Sequence, residues 1–196
     1  MPTTKSPRKG SLQFWPRKRA KKFLPRVNWA TINSNKQLKG FICYKAGMAS
    51  AIVKDNTPNS MTKDKRISIP VTIIECPSMK IYSIRLYKNK KVAKDILAEN
   101  IDKELKRKLK TPRSQKKPDL EAVKHEDYDD VKIIVYSIVK KTNIKKKPDV
   151  VEIGISGSSI EEKLKFIKEN ISKEISVTDF FENGEIVDFR GLTTGR

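Results

Sequence analysis

Short apolar runs that are rich in β-branched residues recur along most of the chain, and several of them alternate with polar positions. Such runs are typical of β-strands in a partly buried sheet. They predict seven strands, at residues 41–44, 48–53, 67–74, 80–87, 131–139, 150–155 and 185–192. We expect the first two to pair around a turn at Lys45-Ala46-Gly47, and Asn183-Gly184 to form the turn before the last strand.

Two segments change to a spacing of about four residues, which is typical of amphipathic helices. The first, residues 92–110, has the apolar positions Leu97, Ile101, Leu105 and Leu109. The second, about 159–171, has the apolar positions Ile160, Leu164, Ile167 and Ile171. Ser158 or Ser159, with Glu161 or Glu162 three residues on, predicts a capping box at its start. Antiparallel turns without a strand–helix–strand rhythm favour a β-barrel or sandwich with helical insertions.

The first 37 residues have no sustained apolar period and contain four prolines, so we interpret them as an extended arm. Residues 38–196 are then the β-barrel domain, with a helical insertion at about 88–130. The net charge is +20, and residues 1–54 hold 13 Lys or Arg but no Asp or Glu. Charge this extreme and this uneven favours a polyanionic partner.

The arm combines arginine, lysine and aromatic residues, the side chains that bind phosphates and stack on unpaired bases. Its predicted RNA-binding residues are Arg8, Lys9, Phe14, Trp15, Arg17, Lys18, Arg19, Lys21, Lys22 and Arg26. A solubility tail or a localisation signal is the alternative for the basic run. Phe14 and Trp15 fit base stacking and anchoring of the arm on its own barrel equally well.

A second basic segment lies in a predicted loop between two strands. Its candidate phosphate-binding residues are Lys140, Lys141, Lys145, Lys146 and Lys147. Phosphate contact is the hypothesis that we prefer for this loop, and a solvated charged surface is the alternative.

Signals for catalysis, cofactors and membranes are missing from the sequence. No nucleotide-binding glycine loop or hydrolase motif occurs, and His125 has no metal-ligand spacing around it. The acidic residues Asp127, Asp129 and Asp130 fit an acidic linker better than a magnesium site. No apolar run reaches the length of a spanning helix. We therefore expect no catalytic residue, no cofactor, no metal and no membrane partner.

The segments SPRKGSLQFWPRKRAKKFLPRV, GFICYKAGM, IPVTIIECP, SGSSIEEKLKFIKE and FENGEIVD resemble the universal large-subunit ribosomal protein three family, in its archaeal and eukaryotic form. The resemblance implies a six-stranded barrel of the translation-protein type, located in the cytoplasmic ribosome. It implies an arm that binds large-subunit ribosomal RNA near its 3′ domain, towards the peptidyl-transferase region, and a role in early subunit assembly beside neighbouring large-subunit proteins. Tyr44 and Lys45 would lie at the first turn of the barrel and join the RNA-binding residues.

The resemblance also implies a hinge, a basic finger and closing barrel strands after Leu192-Thr193, where this sequence has only Thr194 to Arg196. The chain is therefore interpreted as an N-terminal half, from a split gene, a frameshift or a truncated record. We expect a second polypeptide or segment to supply the remaining half. Without it, an open barrel exposes apolar surface and unpaired backbone groups, so residues 1–196 alone are expected to be poorly soluble or molten.

Two other classes of protein fit the charge. A free-standing, chromatin-like nucleic-acid-binding protein would bind any duplex with similar affinity. An RNA-modifying enzyme built on a β-barrel would need a catalytic base or a cofactor loop, and the sequence contains neither.

Overall fold

The computed structural model describes Lys5 and residues 22–34, 36–112 and 127–191. Residues Asn28–Gly184 form one compact unit, and the described residues before and after it belong to a second. The strands of the larger unit are β1 (Tyr44–Lys54), β2 (Arg66–Glu75), β3 (Met79–Lys88), β4 (Lys91–Leu97), β5 (Asp130–Ser137) and β6 (Val150–Gly154). It also contains the helix α1 (Ile160–Asn170) and 3-10 turns at Trp29–Thr31, Lys103–Arg107 and Val177–Asp179.

Four strands form an antiparallel sheet in the order β4-β3-β5-β6. One face of this sheet carries the core, in which Ile84, Leu86 and Ile133 are completely buried. Helix α1 packs against it through Leu164 and Ile167. Burial of large aliphatic side chains is the main favourable term in folding, so this sheet with its helix is the most stable part of the described residues.

The remaining strands, β1 and β2, form a separate two-stranded ribbon. None of its residues is fully buried. The ribbon turn is closed at Asp55, whose carboxylate accepts hydrogen bonds from the Thr57 amide at 2.9 Å and the Thr62 hydroxyl at 2.6 Å. These bonds hold the pKa of Asp55 well below its usual range.

Most of the predicted elements are confirmed, namely the strands at 67–74, 80–87, 131–139 and 150–155 and the second helix. The start of α1 has the predicted N-cap at Ser159, but the reciprocal bond of a capping box goes to the residue before the N-cap. The Ser159 hydroxyl accepts from the Glu162 amide at 3.2 Å, while the Glu162 carboxylate accepts from the Ser158 amide at 3.0 Å. A mainly β fold with a helix is therefore confirmed. The described residues form two separate sheets and no closed barrel, and the predicted division at residue 37 stays a prediction.

The predicted pair of strands at 41–44 and 48–53 is wrong. Residues 44–54 form one continuous strand that pairs with β2, and its register shifts between Lys45 and Gly47. An extra residue in one strand bends it without reversing it, so the register shift is a β-bulge. The Lys45-Ala46-Gly47 segment is therefore not a turn.

The predicted helix at 92–110 is also wrong. Asn89 and Lys90 have φ angles of 52° and 61°, which form a tight hairpin and turn residues 91–97 back along β3. Of the four predicted apolar positions only Leu105 is buried, in the 3-10 turn. Pairing with the open edge of β3 overrides the four-residue spacing, because ladder hydrogen bonds and burial of Ile96 outweigh weak helix propensity.

The predicted last strand, 185–192, does not form over its described residues, Glu185 to Gly191. An alternating sequence becomes a strand only when it pairs with another, and none of the described strands pairs with this segment.

Candidate nucleic-acid interface

Most of the predicted arm residues lie outside the described part of the chain. They are Arg8, Lys9, Phe14, Trp15, Arg17, Lys18, Arg19 and Lys21. Lys22 and Arg26 are described, and both are exposed. The RNA-binding assignment of all ten stays a prediction.

Trp29, which the sequence reasoning did not single out, holds the beginning of the larger unit on its four-stranded sheet. Its indole N–H donates to the Glu152 carbonyl at 2.9 Å, and its own carbonyl accepts from the Lys39 ammonium at 3.1 Å. A methyl group at Gly154 or at Gly40 would come within 2.7 Å of the Trp29 side chain. The two glycines therefore make room for the ring.

Tyr44 is half-buried, and its hydroxyl is engaged by other side chains. It donates to Asp149 Oδ2 at 2.7 Å and lies 2.8 Å from the Ser137 hydroxyl. Burial raises the pKa of Tyr44 well above its ordinary value, and the neighbouring Asp149 carboxylate raises it further. The Lys145 ammonium lies 5.8 Å from the centre of the Tyr44 ring and 2.6 Å from Asp149. The structure thus brings together two predicted RNA-binding residues that are far apart in sequence.

Lys45 is exposed at the bulge of β1. Its charge is available on the surface, whereas the Tyr44 hydroxyl is held in the network below it.

The basic loop at residues 140–147 is partly neutralised by acidic residues. The Lys140 ammonium lies 3.6 Å from Glu104, Lys141 pairs with Glu174, and Lys145 pairs with Asp149. Among the described residues, Lys146 and Lys147 have no carboxylate at ion-pair distance, and both are exposed. Exposed ion pairs are weak, about 0–1 kcal/mol, so a phosphate can still compete for Lys140 and Lys141.

A charged cluster crosses the outer face of the four-stranded sheet. The Arg85 guanidinium bonds to Asp95 at 2.9 Å and to Glu152 at 3.1 Å, and Lys132 lies 3.4 Å from Glu152. The Tyr87 hydroxyl donates to Glu152 as well. Burial raises the pKa of Tyr87 to about 12, with the Glu152 carboxylate as a further cause. The positive and negative charges balance here. We therefore interpret the cluster as ion pairs and hydrogen bonds that link β4, β3, β5 and β6.

The described residues contain no grouping of histidine, cysteine, aspartate or glutamate that would hold a metal ion.

In the same described residues no helix is long and apolar enough to span a membrane.

The family model described as ribosomal protein L3 matches residues 1–196. The chain belongs to the ribosomal protein L3 family. The family resemblance seen in the sequence is therefore confirmed.

Archaeal members of the L3 family are similar to this chain over nearly its whole length. The large ribosomal subunit protein uL3 of Methanocaldococcus jannaschii is 40% identical, that of Methanococcus maripaludis 39% and that of Methanobrevibacter smithii 37%. Each comparison covers 97% of this chain and 59% of the relative. The chain thus spans about three fifths of the length of these L3 relatives.

Proposed function

We propose that this member of the L3 family is a structural constituent of the large ribosomal subunit in the cytoplasm, binds large-subunit ribosomal RNA and catalyses no reaction. The observation that carries the proposal is the match to the family over all 196 residues. The charge distribution supports it independently, because residues 1–26 contain nine basic and no acidic residues. A bound polyanion offsets the repulsion among the basic side chains of such an arm.

The arm is the main RNA ligand in this proposal. Arginine forks bind phosphates and base edges, lysines add point charge, and Phe14 and Trp15 offer flat faces for unpaired bases. The arm binds near the 3′ domain of the RNA, towards the peptidyl-transferase region. This contact, beside neighbouring large-subunit proteins, supports early assembly of the subunit.

The direct test is to recover the chain from cell lysate and to identify the RNA bound to it. Large-subunit ribosomal RNA as the main species supports the proposal. Genomic DNA, or duplexes of any sequence, would instead support a free-standing chromatin-like protein. A chemically altered nucleotide produced on incubation with RNA would support an RNA-modifying enzyme.

Deletion of residues 1–26 isolates the contribution of the arm. Each phosphate contact adds about 0.9 to the slope of log affinity against log salt for a duplex, and about 0.7 for a single strand. The deleted chain should therefore bind a transcript of the 3′ domain more weakly and with a flatter slope. An unchanged slope means that the arm is not an RNA ligand.

The two tryptophans separate stacking from anchoring. If Trp15 stacks on a base, Trp15→Ala should weaken RNA binding by about 1–3 kcal/mol and leave the thermal midpoint of the free protein unchanged. Trp29→Ala is the matched control and should lower the thermal midpoint, because it removes the bond to Glu152 and its ring contacts. A lowered midpoint for Trp15→Ala with intact RNA affinity would make Trp15 an anchor.

The ribbon supports a further part of the proposal, a partner that covers it. Met48, Ile52 and Ile73 are 63%, 76% and 51% exposed. Met48 and Ile52 lie on one face of the ribbon, and Ile73, opposite Gly47, lies on the other. A two-stranded hairpin is marginal in water, and exposed apolar side chains on both of its faces favour a partner that covers it. Because the chain spans 59% of its relatives, we assign this surface to a segment that corresponds to the remaining part of them, in the same or in a second polypeptide.

Amide hydrogen exchange tests this partner. Strand β5 should be strongly protected in the 196-residue chain, and the weak protection of β1 and β2 should rise when the corresponding segment of an archaeal relative is added. Strong protection of the ribbon in a monomeric sample without the added segment would rule out the need for a partner.

A further inference from the structure

The hairpin between β3 and β4 carries four exposed lysines that the sequence analysis did not single out. They are Lys88, Lys90, Lys91 and Lys94. Lys88 lies directly opposite Lys91 in the antiparallel ladder. Like charges in directly opposite positions destabilise a sheet, so this pairing opposes folding of the hairpin.

The ladder also gathers three of these lysines on one face. Tyr87 pairs with Val92 and Leu86 pairs with Lys94, which leaves Ala93 as an extra residue in β4. Without the bulge, Lys91 and Lys94 would fall on opposite faces, because side chains alternate along a strand. With it, Lys94 shares the face of Leu86, and so do Lys88 and Lys91.

The turn itself contains a lysine where glycine would fit better. Lys90 has a φ of 61°, and the second position of such a tight hairpin strongly favours glycine. A non-glycine residue in this region stores backbone strain, and strain of this kind concentrates at functional sites. The carboxylate of Asp129 accepts a hydrogen bond from the Asn89 amide and holds the turn in place.

The hairpin differs from the basic loop at 140–147 in how its charge is neutralised. Among residues 22–34, 36–112 and 127–191, no carboxylate lies at ion-pair distance from any of the four hairpin lysines. In the loop, three of the five lysines have such partners. Asp95, on the same strand, is committed to Arg85, and Asp129 offsets at most one of the four charges.

We propose that the β3–β4 hairpin, with Lys88, Lys90, Lys91 and Lys94, binds the phosphate backbone of RNA at a site separate from the arm. Repulsion between Lys88 and Lys91 and the strain at Lys90 both cost the free protein stability. A bound polyanion offsets the repulsion. The site rests on the proposed function in one respect, that the polyanion is RNA.

The test compares two charge-matched variants of the 196-residue chain. Lys88→Gln/Lys91→Gln/Lys94→Gln removes three charges from the hairpin, and Lys165→Gln/Lys168→Gln/Lys173→Gln removes three exposed charges from α1 and the residues just after it. A transcript of the 3′ domain of large-subunit ribosomal RNA is the probe, titrated at several salt concentrations. For the hairpin variant the slope of log affinity against log salt should fall by about 2 to 3, and for the control it should stay unchanged.

Three outcomes are informative. An unchanged slope for the hairpin variant, or an equal fall for the control, overturns the hairpin site and leaves the proposed function intact as long as the parent chain binds the transcript. If the parent chain shows no preference for this transcript over a DNA duplex of equal length, the proposed function fails, and the slopes still decide whether the hairpin binds phosphate.

A single substitution distinguishes binding from a structural role. Lys90→Gly should raise the thermal midpoint of the free protein, because glycine adopts positive φ without strain. The same variant should lose one phosphate contact, about 0.7 to 0.9 in slope. Gain of stability with loss of RNA binding supports the site, whereas a lowered midpoint with unchanged slope overturns it.

Discussion

The four-stranded sheet and the ribbon contain similar aliphatic residues and bury them to very different extents. Ile84, Leu86, Val131 and Ile133 are 0% exposed in the sheet. In the ribbon, Ile52 is 76% exposed. The difference arises from what covers each: the sheet packs on α1 and on the residues around Leu38, whereas nothing among the described residues buries a ribbon side chain completely.

This comparison teaches that strand formation and core formation are separate properties of a sequence. The ladder of β1 and β2 satisfies backbone groups between the two strands, but it yields little hydrophobic stabilisation because the side chains remain in water. A strand or helix that covered the ribbon would bury these apolar side chains and so raise the free energy of unfolding. The sheet is stabilised by contacts within the described residues, whereas the ribbon has exposed apolar side chains that a partner segment could cover.

The largest expected effect is a cavity in the sheet. Ile133→Ala should lower the free energy of unfolding by about 2–5 kcal/mol, because it empties a completely buried site. Ile52→Ala on the ribbon is the matched control and should change stability by less than about 0.5 kcal/mol. Denaturant titration of the 196-residue chain measures both. Equal losses would contradict the comparison, since they would mean that the ribbon already packs its side chains.

A second pair of substitutions probes close packing at glycine. Gly154→Ala should destabilise the sheet by about 1–3 kcal/mol, because the added methyl would lie 2.7 Å from the Trp29 side chain. Gly47→Ala is the control in the ribbon, where nothing lies within 4 Å of the added methyl. Gly47→Ala should be neutral or slightly stabilising, because alanine lowers the conformational entropy of the unfolded chain. Thermal unfolding distinguishes them, and an unstable Gly47→Ala variant would show that the bulge requires glycine.

The strands with a strong β-branched character could be predicted from the sequence, and so could α1 with its cap at Ser159. These elements combine a clear period with local start and stop signals, so local and long-range forces agree. The segment 92–110 could not be predicted, because its four-residue spacing is compatible with a helix and only the hairpin at Asn89 and Lys90 decides for a strand. The sequence also gave no sign of the contact between Trp29 and Gly154, which are 125 positions apart.

For the candidate interface, the sequence identified the concentration of basic residues but not which charges are neutralised. Lys141 and Lys145 are close in sequence to Lys146 and Lys147, which have no ion-pair partner in the described part of the chain. Only the fold shows that Glu174 and Asp149 lie beside Lys141 and Lys145. The lysines of the β3–β4 hairpin were not predicted as a group, because the sequence predicted a strand up to residue 87, a helix from residue 92 and no hairpin between them. Pairing across the ladder is what brings them together.

Alkaline pH should weaken the sheet. The pKa of Tyr87 in the folded protein is about 12, above the ordinary value of 10.0, so the phenol contributes stability below pH 10. That contribution is lost as the pH rises from 10 to 12, when Tyr87 ionises beside Glu152. Tyr87→Phe should reduce the loss of stability over this interval, measured by denaturant titration at each pH. A variant with the same pH dependence as the parent would mean that other groups control it.

The smallest expected effect occurs at acidic pH, where the ribbon turn should become weaker. The pKa of Asp55 lies well below its ordinary value of 3.8, because its carboxylate accepts bonds from Thr62 and Thr57. A carboxyl group with a lowered pKa contributes stability above about pH 4, and this contribution is lost as the pH falls towards the folded pKa. The effect should be local, since the turn contributes nothing to the core.

Amide exchange at Asp55 and Asp64, followed as the pH is lowered from 4, measures the opening of this turn, because the Asp55 amide donates to the Lys65 carbonyl and the Asp64 amide donates to the Asp55 carbonyl. Their protection factors should fall while those of Ile133 and Val135 in β5 stay constant. Asp55→Asn keeps one acceptor oxygen but removes the titration, so its turn should be weaker at neutral pH and insensitive to acid. Loss of protection in β5 together with the turn would show that ribbon and sheet unfold as one cooperative unit. The two sheets would then be separate in the structure but would share one free energy of unfolding.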